Sequence, residues 1–276
     1  NHNTTKDIIN AVIKLDNYVN PKSLKELNTR VIRDYLYIQK EQKCWAARTF
    51  RNQRQYLKVF FNYCVSHEYL NKNPIDKIER PKLPKTLPRF LTSEQIKTIL
   101  IELEQIKWRY ELEKYRNKTI IYILLYTGIR LNELVHLKIT DVNLVENELF
   151  IRKGKGRKER MIPIHYKLKP ILQQYLEYIK HNDYKDTWLF YNLRNNFQIK
   201  KRTIQTLCEK LSKRVGFKFS SHWLRHSFAR LCVNSEVGLY KIKEMMGHSN
   251  ISTTEIYLSV SKRSLKEGFC KKVLLD

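Results

Sequence analysis

Apolar side chains recur at helical spacing through residues 1–78. The segments 4–19 and 23–42 both carry apolar residues every three or four positions, which is the pattern of an amphipathic helix. In the segment 45–70, one apolar face is formed at positions i, i+3, i+4 and i+7 by Leu57, Phe60, Phe61 and Cys64. These patterns predict a front part made of helices.

A proline-rich stretch interrupts the helical pattern. In the sequence ERPKLPKTLPRFLTSEQ, residues 79–95, three prolines are interleaved with Lys and Arg, which indicates a stiff basic linker at 81–91. Thr92 and Gln95 then have the spacing of a capping box that opens a new helix. The pattern predicts a helical domain at 1–80 and a second domain at 92–276.

The second domain combines helices with one short β region. Its helical pattern runs to about residue 138, and the sequence ENELFIRKGKGRKERMIPI, residues 146–164, has two β-rich runs around a turn rich in Gly and Lys. Helical spacing resumes at Lys167. The predicted fold class is therefore mainly α (α+β), with an N-terminal helical domain and a mixed helical domain that holds a small antiparallel sheet.

The charge of the chain points to a partner. The sequence has 53 Lys and Arg against 27 Asp and Glu, a formal net charge of +26. Divided at Leu83, the chain has 16 basic and 8 acidic residues up to that point and 37 and 19 after it, which gives net charges of +8 and +18. Because both parts are basic, a long polyanion that contacts both is the predicted partner.

A basic stripe in the third helical segment has two interpretations. Arg51, Arg54 and Lys58 fall at i, i+3 and i+7, on a face adjacent to the apolar one. Such a stripe is most often a solvated surface. In so basic a chain, contact with the phosphates of a nucleic acid is an equal alternative, and both interpretations stay open.

Composition also disfavours several classes of protein. The longest apolar run, residues 120–126, is far shorter than the roughly 20 residues that span a bilayer, and no signal peptide is visible. The cysteines are odd in number and show no CxxC spacing, which indicates reduced thiols in a cytoplasmic protein. They are Cys44, Cys64, Cys208, Cys232 and Cys270. The first residue is not Met, which leaves open whether native residues precede it.

Two predicted helix ends are followed by candidate catalytic residues. Arg130 follows the sequence YTGI, in which Gly128 would end the preceding apolar helix. His248 directly follows Gly247, a second predicted helix cap, and Tyr257 lies on a short helix announced by the capping pattern STTE. Taken singly, such residues are most often a surface charge or a core side chain.

Two further positions belong to the same set. Lys155 lies between two glycines at the predicted hairpin tip, where a lysine is usually just solvated. A helix capped by Ser220 or Ser221 would place His222 and Arg225 on one face. His222 and His226 have the i, i+4 spacing of metal ligands, but no Glu follows His222 and Arg225 would put a cation beside the metal, so no metal site is predicted.

Together, these segments resemble one family. TGIRLNELVHL, KGKGRKERMIPI, HWLRHSFAR and MGHSNISTTEIY are similar in order and spacing to the motifs of the tyrosine recombinases, the integrase and Xer-type family. The resemblance covers residues 92–260, and the helical front part agrees more loosely with that family's core-binding domain, which clamps DNA. It implies a site-specific DNA recombinase acting through a Holliday junction.

The resemblance implies a role for each candidate catalytic residue. Tyr257 matches the nucleophile, which attacks a DNA phosphodiester to form a 3′-phosphotyrosyl link and free a 5′-hydroxyl. Arg130 and Arg225 match the pair that clamps the phosphate oxygens. His248 matches a hydrogen-bond donor to the same phosphate, and His222 matches a general base or hydrogen-bonding group.

The hairpin supplies the remaining role. Lys155 matches the general acid that reaches the leaving 5′-oxygen from the minor groove, and it is flanked by candidate DNA contacts at Lys153, Arg157 and Lys158. Glu133 matches a carboxylate that orients an arginine. No cofactor, metal or nucleotide is implied, and the sequence has neither a P-loop nor a carboxylate cluster for Mg²⁺.

The partners implied are double-stranded DNA and other protomers, without membrane or small-molecule substrate. Leu265, Phe269 and Val273 form an apolar stripe at about 262–276. It could pack on its own domain, but the resemblance favours docking into a neighbouring protomer, in a homo-tetramer or with a related recombinase. Xer-like resolution and mobile-element integration are both open, and the alternatives are a type IB topoisomerase-like enzyme or a non-catalytic DNA-binding protein.

Overall fold

The computed structural model describes residues 2–84, 88–152, 159–181, 187–192 and 197–247. The chain forms two compact units, residues 1–86 and 87–276. Within the described residues, helices dominate and one small antiparallel sheet lies in the second unit, which confirms the predicted fold class. None of the helices described is long and apolar enough to cross a bilayer.

The first unit is built from three helices around an apolar core. The helices are α1 (His2–Val19), α2 (Thr29–Gln42) and α3 (Ala47–Ser66), and a short 3₁₀ turn (Leu24–Glu26) precedes α2. The most deeply buried side chains, all at most 1% exposed, include Leu15, Ile32, Leu36, Leu57 and Phe61. Each helix thus buries one face, as its apolar spacing predicts.

The apolar spacing continues through residues 23–42, but the structure divides this segment into the 3₁₀ turn and helix α2. The side chain of Asn28 accepts hydrogen bonds from the backbone N–H groups of Arg30 at 3.0 Å and Val31 at 3.1 Å. These donors have no partner within the helix, so an Asn at this position stabilises the start of α2. The local capping contact, and not the apolar spacing, therefore decides where α2 begins.

Arg54 corrects the predicted basic stripe on α3. Its side chain is buried, with 3% of the residue exposed. The guanidinium Nε donates to the backbone oxygen of Ile78 at 2.7 Å, and Nη2 donates to that of Ile75 at 2.9 Å. This burial argues against both a solvated surface and a phosphate contact for Arg54, because its guanidinium holds the segment 75–78 against α3.

The spacing along α3 explains this burial. Arg54 continues the buried row of the helix, whose members recur every four and three positions at Phe50, Arg54, Leu57, Phe61 and Cys64. Arg51 is exposed on the same helix. Lys58 is partly buried and forms an ion pair with Asp76.

The second unit contains seven α-helices, a short 3₁₀ turn (Ile139–Asp141) and a three-stranded sheet among its described residues. The helices are α4 (Ser93–Gln105), α5 (Glu111–Thr127), α6 (Leu131–Leu134), α7 (Lys169–His181), α8 (Lys201–Val215), α9 (Ser221–Asn234) and α10 (Leu239–Met246). The strands, in the order β1-β2-β3, are β1 (Val142–Asn143), β2 (Glu148–Ile151) and β3 (Arg160–Pro163). Both strand pairs are antiparallel, and the pairing of β2 with β3 ends at Ile151 and Arg160.

Helix α5 is the centre of the second unit. It packs against α7 and α9, and Ile120, Ile121, Ile123 and Leu124 are fully buried. A helix that is apolar on most sides is expected in the middle of a core. The apolar run at 120–126 therefore belongs to the core, and the chain enters the turn at residues 128–130 from the end of α5.

Two caps predicted from the sequence are present. The Thr92 hydroxyl accepts from the N–H of Gln95 at 3.2 Å, and the Gln95 side chain accepts from the N–H of Thr92 at 3.0 Å, so the capping box opens α4. Gly128 ends α5 with φ of 59°. A Cβ there would lie 2.2 Å from Cδ1 of Phe228 on α9, so this position requires glycine for its conformation and for its close approach to α9.

We expect replacement of Arg54 to weaken the first unit. In Arg54→Met the apolar stem remains, but the buried carbonyls of Ile75 and Ile78 lose their donor, which should cost about 2–4 kcal/mol of the free energy of unfolding. Arg51→Met, at an exposed site on the same helix, should cost less than about 0.5 kcal/mol. Urea unfolding followed by circular dichroism measures both, and equal effects would refute the structural role of Arg54.

Candidate active site

Arg130 is held by the helix turn that follows α5. It caps the N-terminus of α6, where its backbone N–H donates to Oε2 of Glu133 at 2.8 Å and its Nη1 donates to Oε1 at 2.9 Å. The side chain of Glu133 is only 2% exposed, whereas that of Arg130 is 24% exposed. A buried carboxylate thus fixes the backbone and the guanidinium of Arg130 together, which is the orienting contact expected of Glu133.

A second arginine, Arg160, binds the same carboxylate. Its Nη1 donates to Oε1 of Glu133 at 3.1 Å and its Nη2 donates to Oε2 at 2.8 Å, a bidentate pair. The sequence interpretation included Arg160 in a motif but gave it no role. The strand pattern could have indicated that Arg160 points inward. Side chains alternate along a strand, and Arg160 lies on the same inward face of β3 as Ile162.

The C-terminal end of α10 is surrounded by arginines from three elements. Three successive backbone oxygens each accept from a different guanidinium: Met245 from Nε of Arg160 at 2.8 Å, Met246 from Nη2 of Arg225 at 2.7 Å, and Gly247 from Nη2 of Arg130 at 2.6 Å. The last carbonyls of a helix lack partners within the helix and carry partial negative charge. The end of α10 therefore brings Arg130 and Arg225 together.

Gly247 permits this convergence. It has φ of 62°, in the left-handed region, and a Cβ at this position would lie 2.9 Å from Nη1 of Arg160 and 3.2 Å from Nη1 of Arg130. A larger residue would suffer backbone strain and would push the guanidinium groups apart. The chain passes from this glycine directly to residue 248.

Helix α9 supplies Arg225 and two histidines. Arg225 is buried, 5% exposed, and its Nη1 donates to the backbone oxygen of Gly128. His222 is exposed in the first turn of α9, and its ring centroid lies 6.3 Å from that of His226. Arg225 thus joins the cap of α5 to the end of α10, while His222 faces solvent one turn away.

The end of the linker also lies against α9. The backbone N–H of Leu91 donates to Oγ of Ser227 at 2.8 Å, and the guanidinium of Arg89 lies 5.7 Å from the ring centroid of Trp223. Trp223 and Ser227 are one turn apart, so these contacts lie along one face of the helix that carries Arg225.

The pKa values of two groups fit a cationic site. Burial raises the pKa of Glu133, but hydrogen bonds and charge from Arg160 and Arg130 outweigh it, so the pKa lies below its ordinary value and the carboxylate is ionised. Burial, reinforced by the charges of His222 and Arg225, lowers the pKa of His226 to about 4. His226 is therefore neutral at pH 7, whereas Glu133 is ionised and paired with Arg130 and Arg160.

Several predicted site residues lie outside the described residues. They are Lys153, Lys155, Arg157, Lys158, His248 and Tyr257, together with the predicted docking helix at 262–276. The structure describes Arg130, His222 and Arg225, and brings the two arginines to adjacent carbonyls. Among the side chains that are described, no three His, Cys, Asp or Glu residues form a metal-binding group.

Comparison with known proteins gives the same family as the motifs. A sequence model of the Phage integrase family matches residues 89–264. Tyrosine recombinase XerA of Pyrococcus furiosus is 32% identical over 268 residues, which cover 96% of this chain and 88% of XerA.

Solved structures agree with this relationship. A crystal structure of XerA recombinase, 25% identical, has a TM-score of 0.60 over 100% of this chain and 94% of its own. The XerH site-specific recombinase, bound to palindromic difH substrate in a post-cleavage complex, is 26% identical with a TM-score of 0.73, over 89% of this chain and 72% of its own.

The chain therefore belongs to the phage integrase family, the tyrosine recombinases. Its enzyme class is that of the tyrosine-type site-specific recombinases, and this confirms the predicted family and activity. The cluster at the end of α10 is the candidate site for that activity among the described residues.

We expect acid to weaken the fold around α9 through His226. Its pKa of about 4 in the folded protein lies below the ordinary 6.5, so the unfolded chain binds this proton more readily. The resulting loss of stability begins as the pH falls through about 6.5 and continues toward 4. Urea unfolding at about pH 7 and pH 5 should show a smaller decrease for His226→Gln than for the unchanged protein, and identical decreases would contradict the shift.

Proposed function

We propose that Tyr257 carries out strand cleavage at the phosphate held by Arg130 and Arg225. In this step the phenol oxygen forms a bond to phosphorus and loses its proton, and the bond from phosphorus to the 5′-oxygen breaks. The product is a 3′-phosphotyrosyl link and a free 5′-hydroxyl, and the reverse attack by a 5′-hydroxyl rejoins DNA. The observation that carries this assignment is the convergence of both guanidiniums on the α10 terminus, directly before His248.

The arginine cluster suits the charge that develops on phosphorus. The transition state places extra negative charge on the non-bridging oxygens, and guanidinium groups bind such oxygens through a fixed fork of N–H donors. Arg130 is already oriented by Glu133 and Gly247, and Arg225 by Gly128 and Met246. Groups oriented before the reaction stabilise this charge without reorganising during it.

The histidines complete the phosphate site in this proposal. His248 follows the glycine that ends α10, and we assign it a hydrogen bond to the same phosphate. His222 is exposed at the start of α9, where it can accept the phenol proton or donate to a phosphate oxygen. Because burial lowers its pKa to about 4, His226 is a weak base, and we assign proton exchange to His222 and His248 instead.

The leaving oxygen requires an acid of its own. An alkoxide has a conjugate acid nearly as weak as water, so its departure is slow without a proton donor. We assign this role to Lys155, in the loop between β2 and β3. Lys153, Arg157 and Lys158 would contact phosphates beside it. In the first unit, Arg51 would contact DNA phosphates, whereas Lys58 is engaged by Asp76.

The proposed recombinase activity also suggests roles for the two domains and an assembly on DNA. We propose that residues 1–80 act as the core-binding domain and 92–276 as the catalytic domain, with the segment 262–276 docking into a neighbouring protomer of a tetramer on DNA. Strand exchange in such a tetramer would pass through a Holliday junction. Similarity to XerA over 96% of this chain favours an Xer-like role over mobile-element integration, and a related recombinase as partner is the alternative to identical protomers.

A covalent adduct tests the nucleophile. Incubated with a nicked suicide duplex, carrying a site recovered by selection from random DNA, the protein should form an adduct that survives denaturing electrophoresis. Tyr257→Phe should abolish this adduct, because it lacks the attacking oxygen. Tyr166→Phe is the matched control, since Tyr166 is 73% exposed, and should react normally. An unchanged adduct in Tyr257→Phe would overturn the assignment.

Arg130→Lys tests the phosphate clamp separately from binding. The lysine keeps the positive charge but lacks the fork that spans the phosphate and Glu133, so single-turnover cleavage should fall by about 10²–10³-fold. Affinity for the duplex, measured by fluorescence anisotropy, should change by less than about threefold because many other cations contribute. Parallel losses of cleavage and affinity would mean that Arg130 is an ordinary DNA contact.

A further inference from the structure

Arg160 lies at the junction of three parts of the site. Its guanidinium contacts Glu133 with both Nη atoms and the backbone oxygen of Met245 with Nε. Its side chain is only 11% exposed, so its guanidinium mainly contacts protein groups and not solvent. The strand β3 that carries it begins directly after the loop that holds Lys155.

We propose that Arg160 is a positioning residue, which sets the orientation of Arg130 through the shared carboxylate of Glu133. The inference rests on the proposed role of Arg130 as a phosphate clamp. It adds a residue that never touches DNA but determines where the clamp points. The same contacts tie the clamp to the strand leading out of the Lys155 loop.

The geometry at Glu133 shows how this works. Oε1 accepts from Nη1 of Arg130 at 2.9 Å and from Nη1 of Arg160 at 3.1 Å, while Oε2 accepts from Nη2 of Arg160 and from the Arg130 backbone, both at 2.8 Å. Arg160, together with the backbone N–H of Arg130, therefore holds Oε2 of the carboxylate away from the Arg130 guanidinium. Without it, we expect a bidentate pair of Glu133 with Arg130, which would draw Nη2 of Arg130 away from Gly247.

A second anchor at the same hairpin provides a matched control. Arg152, which directly precedes the Lys155 loop, forms an ion pair with Asp141, whose side chain is 1% exposed. Arg152 and Arg160 thus fasten the two strands of the hairpin to buried carboxylates. Arg160 alone of the two contacts the carboxylate that orients Arg130, so replacing each arginine separates anchoring of the hairpin from orientation of the clamp.

The decisive substrate is DNA with a methylphosphonate at the scissile position. Replacing a non-bridging oxygen by methyl makes the phosphorus group neutral and removes one unit of the negative charge that the arginine clamp must stabilise in the transition state. A defect caused by a misdirected clamp should therefore be smaller on this DNA than on ordinary DNA. A defect caused by a loosened fold or a displaced Lys155 should be equal on both, because the leaving oxygen is unchanged.

We expect Arg160→Lys to lower single-turnover cleavage of ordinary DNA by about 10²-fold, the size of loss that a misplacement of about 1 Å produces. On the methylphosphonate duplex, the loss should be less than about fivefold. Arg152→Lys should show the same ratio to the unchanged protein on both substrates. Arg160→Gln, which retains hydrogen-bonding capacity without charge, should behave like Arg160→Lys if folding is intact by circular dichroism.

Two results would overturn the inference. One is cleavage by Arg160→Lys at the unchanged rate; the other is an equal loss on ordinary and methylphosphonate DNA. Failure of the proposed function is distinct from both, because then the unchanged protein would form no adduct that depends on Tyr257.

Discussion

The described site depends on the binding of guanidinium groups to the C-terminal end of α10. Met245, Met246 and Gly247 present carbonyls that the helix itself leaves unpaired, and arginines from β3, α9 and the α6 turn occupy them. Cations at a helix C-terminus are favoured by its partial negative charge. Elements distant in the sequence are therefore brought to one point by a local property of a short helix.

This arrangement is better explained by geometry than by stability. Burying ionised groups carries a desolvation cost that their attraction only partly offsets, so a buried ion pair is weak evidence of a stabilising interaction. Both oxygens of Glu133 nevertheless accept hydrogen bonds from Arg130 and Arg160. Each of these hydrogen bonds restricts the orientation of the guanidinium groups. The cluster resembles other pre-organised sites, in which groups are oriented before charge develops in the reaction.

Packing of the apolar core positions the helices that carry the arginine cluster. Helix α5 is buried on most sides, and its terminal Gly128 lies against Phe228 of α9, where a Cβ would clash. The same glycine offers its carbonyl to Arg225. Packing and polar contacts thus meet at one residue: the close approach of α5 and α9 sets the distance over which Arg225 reaches both Gly128 and Met246.

The sequence by itself determined the local features of this protein. Helical spacing, the Thr92 capping box, the glycine caps at 128 and 247 and the β2–β3 hairpin all depend on residues near one another in the chain, and the motifs were sufficient to place it in its family. The surplus of positive charge likewise follows from the sequence alone.

Tertiary structure alone decided which charged residues serve the fold. Arg54 looked like part of a surface stripe, and Arg160 like one more cation in a basic hairpin. Arg54 is buried and Arg160 is largely buried because distant segments offer them acceptors. These are the carbonyls of Ile75 and Ile78 for Arg54, and Glu133 with Met245 for Arg160. Periodicity reports which face of an element a residue occupies, but the acceptors that make a buried guanidinium tolerable come from elsewhere in the chain.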